Sequence, residues 1–226
     1  MDGLVVVADG PGTPALDPVA AARAAGVDGG GLLLGWLVDR RPWIDSLGDR
    51  RALTYQPANA LAEAARTGRV SYLPVRLASI PALLAGPLAP AVAVVTGVAR
   101  GAGFAFADCV GYADSAARRA GAVVVQVADG PDLGGPAIEG PVAAVVDGGE
   151  RALPPPDREG TPLDRRIAEA AAALVPEGAT VQYGLGRLPE AVVRSLSVPV
   201  AVVSGLVTDA LAHLADAGLL VGTALA

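Results

Sequence analysis

The chain has 226 residues, with 17 basic and 23 acidic side chains and a formal charge of −6, and every basic residue is an arginine. A hydrophobic share of 52% beside 18% charged residues excludes an intrinsically disordered chain, and an isoelectric point near 4.7 excludes a basic face for nucleic acid. One Cys and one His exclude an internal disulfide framework and a standard zinc site.

In chain order the pattern is alternation. Leu4–Ala8 is an apolar run, and the turn Asp9-Gly10-Pro11-Gly12-Thr13-Pro14 follows it. Ala15–Ala25 reads as a helix ended by Gly26, Gly31–Val38 as a buried strand, and Pro57–Thr67 as a helix stopped at Gly68. Ser79–Ala85 reads as a short helix, Ala91–Thr96 as a strand, Tyr112–Ala120 as a helix, and Ala122–Val127 as a β-branched strand. Pro141–Val146 closes this half. Strands that are apolar throughout and alternate with helices predict a parallel α/β sheet covered on both faces.

The turn and extended signals over Asp147–Thr161 mark a boundary. They predict an α/β domain over 1–150, a linker over 151–160 and the incomplete start of a second α/β domain over 161–226. Thr161-Pro162-Leu163-Asp164 fits a capped helix start, with Ile167, Ala171 and Leu174 expected on one face. A strand at Ala179–Tyr183, a helix at Leu188–Leu196, a strand at Pro199–Val203, a helix at Thr208–Ala217 and a strand at Leu219–Val221 follow. Three strands and three helices are thin cover for an independent core.

The sharpest local feature is Val181-Gln182-Tyr183-Gly184-Leu185-Gly186-Arg187-Leu188-Pro189. A strand runs into two glycines and a helix start, where backbone amides and the helix dipole favour an anion or a developing oxyanion. A plain strand–helix turn accounts for the same residues. The dinucleotide fingerprint is not met, because Pro189 stands where its third glycine would be. Asp9–Pro14 and Arg100-Gly101-Ala102-Gly103 are further glycine-rich loops after strands, where α/β proteins bind ligands. Cys109 reads as a small buried thiol, and His213 as a solvated or capping group. Of the glutamates, only Glu190 lies near the glycine turn, and no acid–base pair is legible. With no lysine, arginines must supply any phosphate clamp.

Ile167 to Leu174, then Glu177 to Val192 with the Gln-x-Gly-x-Gly-x-x-Pro segment, and then Ser204 to Ala210, resemble the acetyl-CoA hydrolase/transferase family. That family belongs to the family I CoA-transferases and includes 4-hydroxybutyrate CoA-transferases. Gly68–Pro74 and Ile80–Leu83 are similar to its first domain. The resemblance implies two tandem CoA-transferase-like α/β domains and a thioester exchange between short-chain acyl-CoA and a small carboxylate, through a glutamyl intermediate. It implies CoA contacts from Gln182, Gly184, Leu185, Gly186 and Pro189, with coenzyme A as a substrate and no permanently bound cofactor. The family's nucleophilic glutamate lies beyond the segment matching Leu219–Ala226, so no catalytic residue carries over.

Met1-Asp2-Gly3 lacks a basic leader, and no stretch has the roughly 18 uncharged apolar residues of a membrane span. A cytoplasmic protein without membrane or nucleic-acid partners is expected. A non-catalytic CoA-binding or structural subunit completed by a separate polypeptide is the second expectation, and a dinucleotide-binding domain the third. Uncovered sheet edge should favour association, as a homo-oligomer or with a chain supplying the missing half.

Overall fold

The computed structural model describes residues 3–149 and 160–222. The linker expected over 151–160 lies, apart from Gly160, outside them, as do Glu150 and Glu159. The chain forms two compact units, Met1–Pro154 and Pro155–Ala226.

In the first unit, β1 (Leu4–Val7) leads through α1 (Pro18–Ala24) to β2 (Gly31–Leu34), and β3 (Arg51–Thr54) follows. Next come α2 (Ala62–Arg66), β4 (Val70–Tyr72) and α3 (Ile80–Leu84). The hairpin of β5 (Val92–Arg100) and β6 (Gly103–Phe106) precedes α4 (Ala113–Arg119), β7 (Ala122–Ala128) and β8 (Val142–Gly149). The sheet runs β4-β3-β2-β1-β5-β7-β8, and every pair along that path is parallel. Only β6 is antiparallel, and it pairs with the far end of β5. The expected mostly parallel α/β fold is present.

Side chains alternate across a strand, so an apolar run serves two cores. Leu4, Val6, Ala93, Val95, Val123 and Val125 meet α3 and α4 through Ile80, Leu84, Ala113, Ala116 and Ala117. On the other face Val5, Val92, Val94 and Val124 meet Ala21 and Ala22 of α1, while Leu32 and Leu34 pack with Ile44 and Leu61.

Several boundaries differ from the sequence reading for identifiable reasons. Helix α1 begins at Pro18 rather than Ala15, because the amides of Ala15 and Leu16 donate to Gln126 Oε1 at 2.8 and 3.0 Å. The Asp17 carboxylate then caps the helix by accepting from Val19 and Ala20. Strand β2 stops at Leu34, since the chain turns at Gly35 to pass Asp9. The stretch 57–67 opens with a 3-10 turn at Asn59–Leu61 before α2. Strand β5 continues past Thr96 to Arg100, because β6 offers it a partner there. Strands β3, β4 and β6 are short, and their polar or glycine-rich composition hides them from a periodicity reading.

The second unit contains α5 (Pro162–Ala172), β9 (Thr180–Gln182), α6 (Arg187–Arg194), β10 (Ala201–Val203) and α7 (Asp209–Asp216). Strands β9 and β10 are parallel, and the expected strand at Leu219–Val221 is a single bridge from Leu220 to Val200. Its core gathers Ala172, Val193, Leu196, Val202, Leu211 and Leu214. Helix α5 buries Ala168 and Ala172, not the Ile167–Leu174 face expected from spacing; Ile167 and Leu174 are exposed.

Candidate functional site

Two places follow from the topology, one in each unit. In the first unit the chain passes from β1 to β2 on one side and later returns as β5 on the other. The strand order therefore reverses between β1 and β5, and open parallel sheets bind ligands beyond the carboxyl ends of strands at such a point.

Asp9 stands just after β1 at this edge and is only 6% exposed. Its Oδ2 accepts a 2.6 Å hydrogen bond from the Tyr55 hydroxyl, which lies just after β3. Its Oδ1 has no hydrogen-bond partner among the described residues. Burial pushes the Asp9 carboxyl above its usual range, against the lowering effect of Tyr55 and of the backbone. The fit is close. A Cβ on Gly35 would lie 2.2 Å from Asp9 Cβ, and one on Gly111, at φ +47°, would lie 2.4 Å from Oδ1.

Tyr112 donates from its buried hydroxyl to the Val7 carbonyl at 2.6 Å, and its ring meets Tyr55 edge-on at 6.1 Å. Desolvation and the nearby Asp9 carboxylate push both phenols upward, and the same two causes raise the Cys109 thiol to about 11. The thiol is half-buried and protonated near neutrality, which makes it inert as a nucleophile. This cluster can hold a proton and present hydrogen bonds; it offers no activated nucleophile. Asp9 and Tyr55 did not stand out as site residues in the sequence. The available signal was an acidic residue directly after a fully apolar strand and before Gly-Pro-Gly.

The Arg100–Gly103 loop has another duty. Arg100 and Gly103 pair across a two-residue turn with Gly101 at φ +57°, so its glycines serve the β5–β6 hairpin. Arg100 is held by Asp132 and by the Gly135 carbonyl.

In the second unit the glycine turn joins β9 to α6. Gln182 is exposed at the end of β9, Gly184 and Leu185 are exposed in the turn, and Gly186 is the N-cap of α6 at φ +136°. The helix begins at Arg187, one residue before the expected Leu188, so Pro189 is its third residue. Pro189 has no N–H, which leaves the first-turn amides of Arg187 and Leu188 to face an anion. The Gly186 amide donates to Glu190 Oε1 at 3.4 Å, so Glu190 acts as a helix-start carboxylate. Arg187 reaches back to Asp164 at 2.9 Å and ties the turn to the start of α5. Tyr183 and Thr208 share a 3.0 Å hydroxyl hydrogen bond, and Ser204 Oγ donates to the Leu206 carbonyl at 2.8 Å. The first bond links the loops after β9 and β10, and the second lies within the loop after β10. The five residues Gln182, Gly184, Leu185, Gly186 and Pro189 thus lie along one open turn.

His213 is exposed on α7. No cluster of three or more His, Cys, Asp or Glu able to hold a metal ion occurs among the described residues, and no helix among them is long and apolar enough to cross a membrane.

No protein-family model and no curated protein matches the sequence. Solved structures do match. RipA from Yersinia pestis superposes with a TM-score of 0.76 at 22% identity, over 96% of this chain and 56% of that one. A 4-hydroxybutyrate CoA-transferase from Porphyromonas gingivalis superposes with a TM-score of 0.65 at 21% identity, over 97% of this chain and 54% of that one. The chain therefore spans a little over half the length of the structures it matches, and what it shares with them is a CoA-transferase-like α/β fold.

Proposed function

We propose that the protein works on short-chain acyl-CoA as a hydrolase or CoA-transferase-like protein, by thioester exchange with a small carboxylate of the acetate type. The observation that carries this reading is the CoA-transferase-like fold, in a chain whose Gln182–Pro189 segment resembles the CoA-contacting turn of that family. Coenzyme A enters as a substrate. Its negative charge is suited to the α6 start, where the Arg187 and Leu188 amides and the helix dipole converge. Gly184 and Gly186 leave the backbone open to close approach, and a Cβ on Gly184 would meet nothing within 4 Å.

The covalent step is assigned to no residue of this chain. Glu190 is engaged with the α6 N-cap, and the buried Asp9 is held toward its neutral form. A second reading follows: a non-catalytic CoA-binding or structural subunit that works in association with another chain or with its own copies. Exposed apolar side chains favour it, with Val145 47% exposed on β8 and Leu174 83% exposed after α5.

Calorimetric titration with coenzyme A and acetyl-CoA, beside an assay of acetyl-CoA turnover with acetate as acceptor, separates the two. Binding with turnover supports the enzyme, and binding without turnover supports the subunit. Gly186→Ala should weaken binding about tenfold by straining the turn. Absence of CoA binding overturns the enzyme and the CoA-binding subunit alike.

A further inference from the structure

At the amino-terminal ends of β3 and β4, opposite the edge that carries Asp9 and Tyr55, an open depression of about 370 Å³ is lined by Arg50, Arg51 and Arg69, with Asp49 and the hydroxyl residues Thr67 and Ser71. The strand register explains why arginines of adjacent strands line it together. Ala52 pairs with Val70, so Arg51 and Arg69 stand side by side one step earlier on adjacent strands. Like charges in that relation destabilise a sheet unless something compensates them. Arg69 is partly compensated by Asp45 at 3.1 Å, but Asp45 also holds Arg40 at 2.6 Å. Arg50 and Arg51 form no ion pair among the described residues; Arg50 reaches only the Leu47 carbonyl, at 3.4 Å. The lining is therefore locally cationic in a chain whose formal charge is −6.

We infer that this depression binds a small phosphate-bearing solute, a phosphomonoester or a diphosphate. Guanidinium groups match phosphate oxygens in a bidentate fork, and a chain without lysine has no other cationic side chain for the purpose. The Ser71 hydroxyl supplies a neutral donor on the same rim. Gly68, at φ +76°, places no side chain there. Strand β3 separates Arg51 from Tyr55 by four residues, roughly 13 Å of extended chain, so the depression is distinct from the crevice at the strand ends. The inference is independent of the acyl-CoA reading.

The test is calorimetric titration of the full chain with inorganic phosphate and with pyrophosphate at low ionic strength, with sodium chloride as the ionic control. Saturable 1:1 binding is expected, tighter for pyrophosphate. Arg51→Gln and Arg50→Gln should each weaken it about tenfold, and Arg23→Gln, at a distant surface, should leave it unchanged. Circular dichroism of each variant checks that the fold is kept, and Arg50→Gln serves where Arg51→Gln fails that check. ADP and coenzyme A are titrated in parallel; equal affinities assign recognition to the diphosphate they share. Non-saturable heats that sodium chloride reproduces, or binding indifferent to both substitutions, overturn the inference.

Discussion

A carboxylate taken out of water loses hydration worth several kcal/mol unless hydrogen bonds or a counter-charge replace it. Asp9 has the Tyr55 hydroxyl at 2.6 Å on one oxygen and no partner among the described residues on the other. The folded protein therefore holds the Asp9 proton more tightly than the unfolded chain, whose carboxyl titrates near 3.8. Below that pH both states are protonated and the group contributes no pH dependence. As pH rises through and above it the unfolded state ionises first, so stability falls until the raised folded pKa is passed, and then levels off. Asp9→Asn keeps an acceptor for Tyr55 and removes the titration. Urea unfolding between pH 4 and pH 8 should show the wild type losing stability relative to Asp9→Asn with rising pH, by no more than about 1.4 kcal/mol per pH unit. A pH-independent difference between the two proteins would contradict the account. The pairing was not legible in the sequence, because Asp9 and Tyr55 are 46 residues apart and only the β1-β2-β3 order brings them together. Gly35 and Gly111 were equally silent: each is needed for its distance to Asp9, which sequence spacing does not encode.

Helix α5 shows which features of an element are local and which are not. Its start is legible because capping involves residues within one turn. The Thr161 hydroxyl accepts from the Asp164 amide at 3.2 Å, and Asp164 Oδ2 accepts from the Thr161 amide at 2.8 Å. The hydrogen bonds from the Thr161 hydroxyl and amide, and after them the ion pair with Arg187 of α6, hold the Asp164 carboxyl below its usual range. Thr161→Ala removes the cap and should cost the second unit about 1 kcal/mol. Thermal unfolding followed by far-ultraviolet circular dichroism should show a lower midpoint, while Thr161→Ser keeps it. Which face is buried depends on tertiary context. Spacing favoured Ile167, Ala171 and Leu174, yet Ala168 and Ala172 are buried. Small side chains let helices approach closely, and the larger residues are left on the outer face. The glycine turn divides in the same way. Its strand–turn–helix form was readable from two glycines, but the helix start at Arg187 depends on Gly186 adopting φ +136°.

On the scale of the whole sheet, the two edges differ in how they meet solvent. Strand β4 has three residues and is flanked by Arg69 and Arg76, so it is a short, charged edge. Strand β8 has eight residues, no arginine, and Val142, Val145 and Val146 exposed at 40, 47 and 40%. No helix lies between β7 and β8, unlike the connections that carry α1, α2, α3 and α4. The alternation of strands and helices made the parallel fold legible, but the bare edge was not localised by it. It arises because the connection 129–141 is irregular and contributes a single bridge, Ala137 to Ala105. A long edge with apolar side chains on both faces and a single charged residue, Asp147, is a template for pairing with another chain, opposed here by a net charge of −6 on each copy. The protein should therefore associate in a concentration-dependent way, more strongly as pH falls toward the isoelectric point near 4.7. Val145→Lys places a charge at the centre of β8 and should shift sedimentation-velocity profiles toward the monomer without lowering the unfolding free energy by more than about 0.5 kcal/mol, the scale of an exposed substitution. A wild type that stays monomeric at all concentrations, or a variant that associates as strongly as the wild type, would remove β8 as the seam.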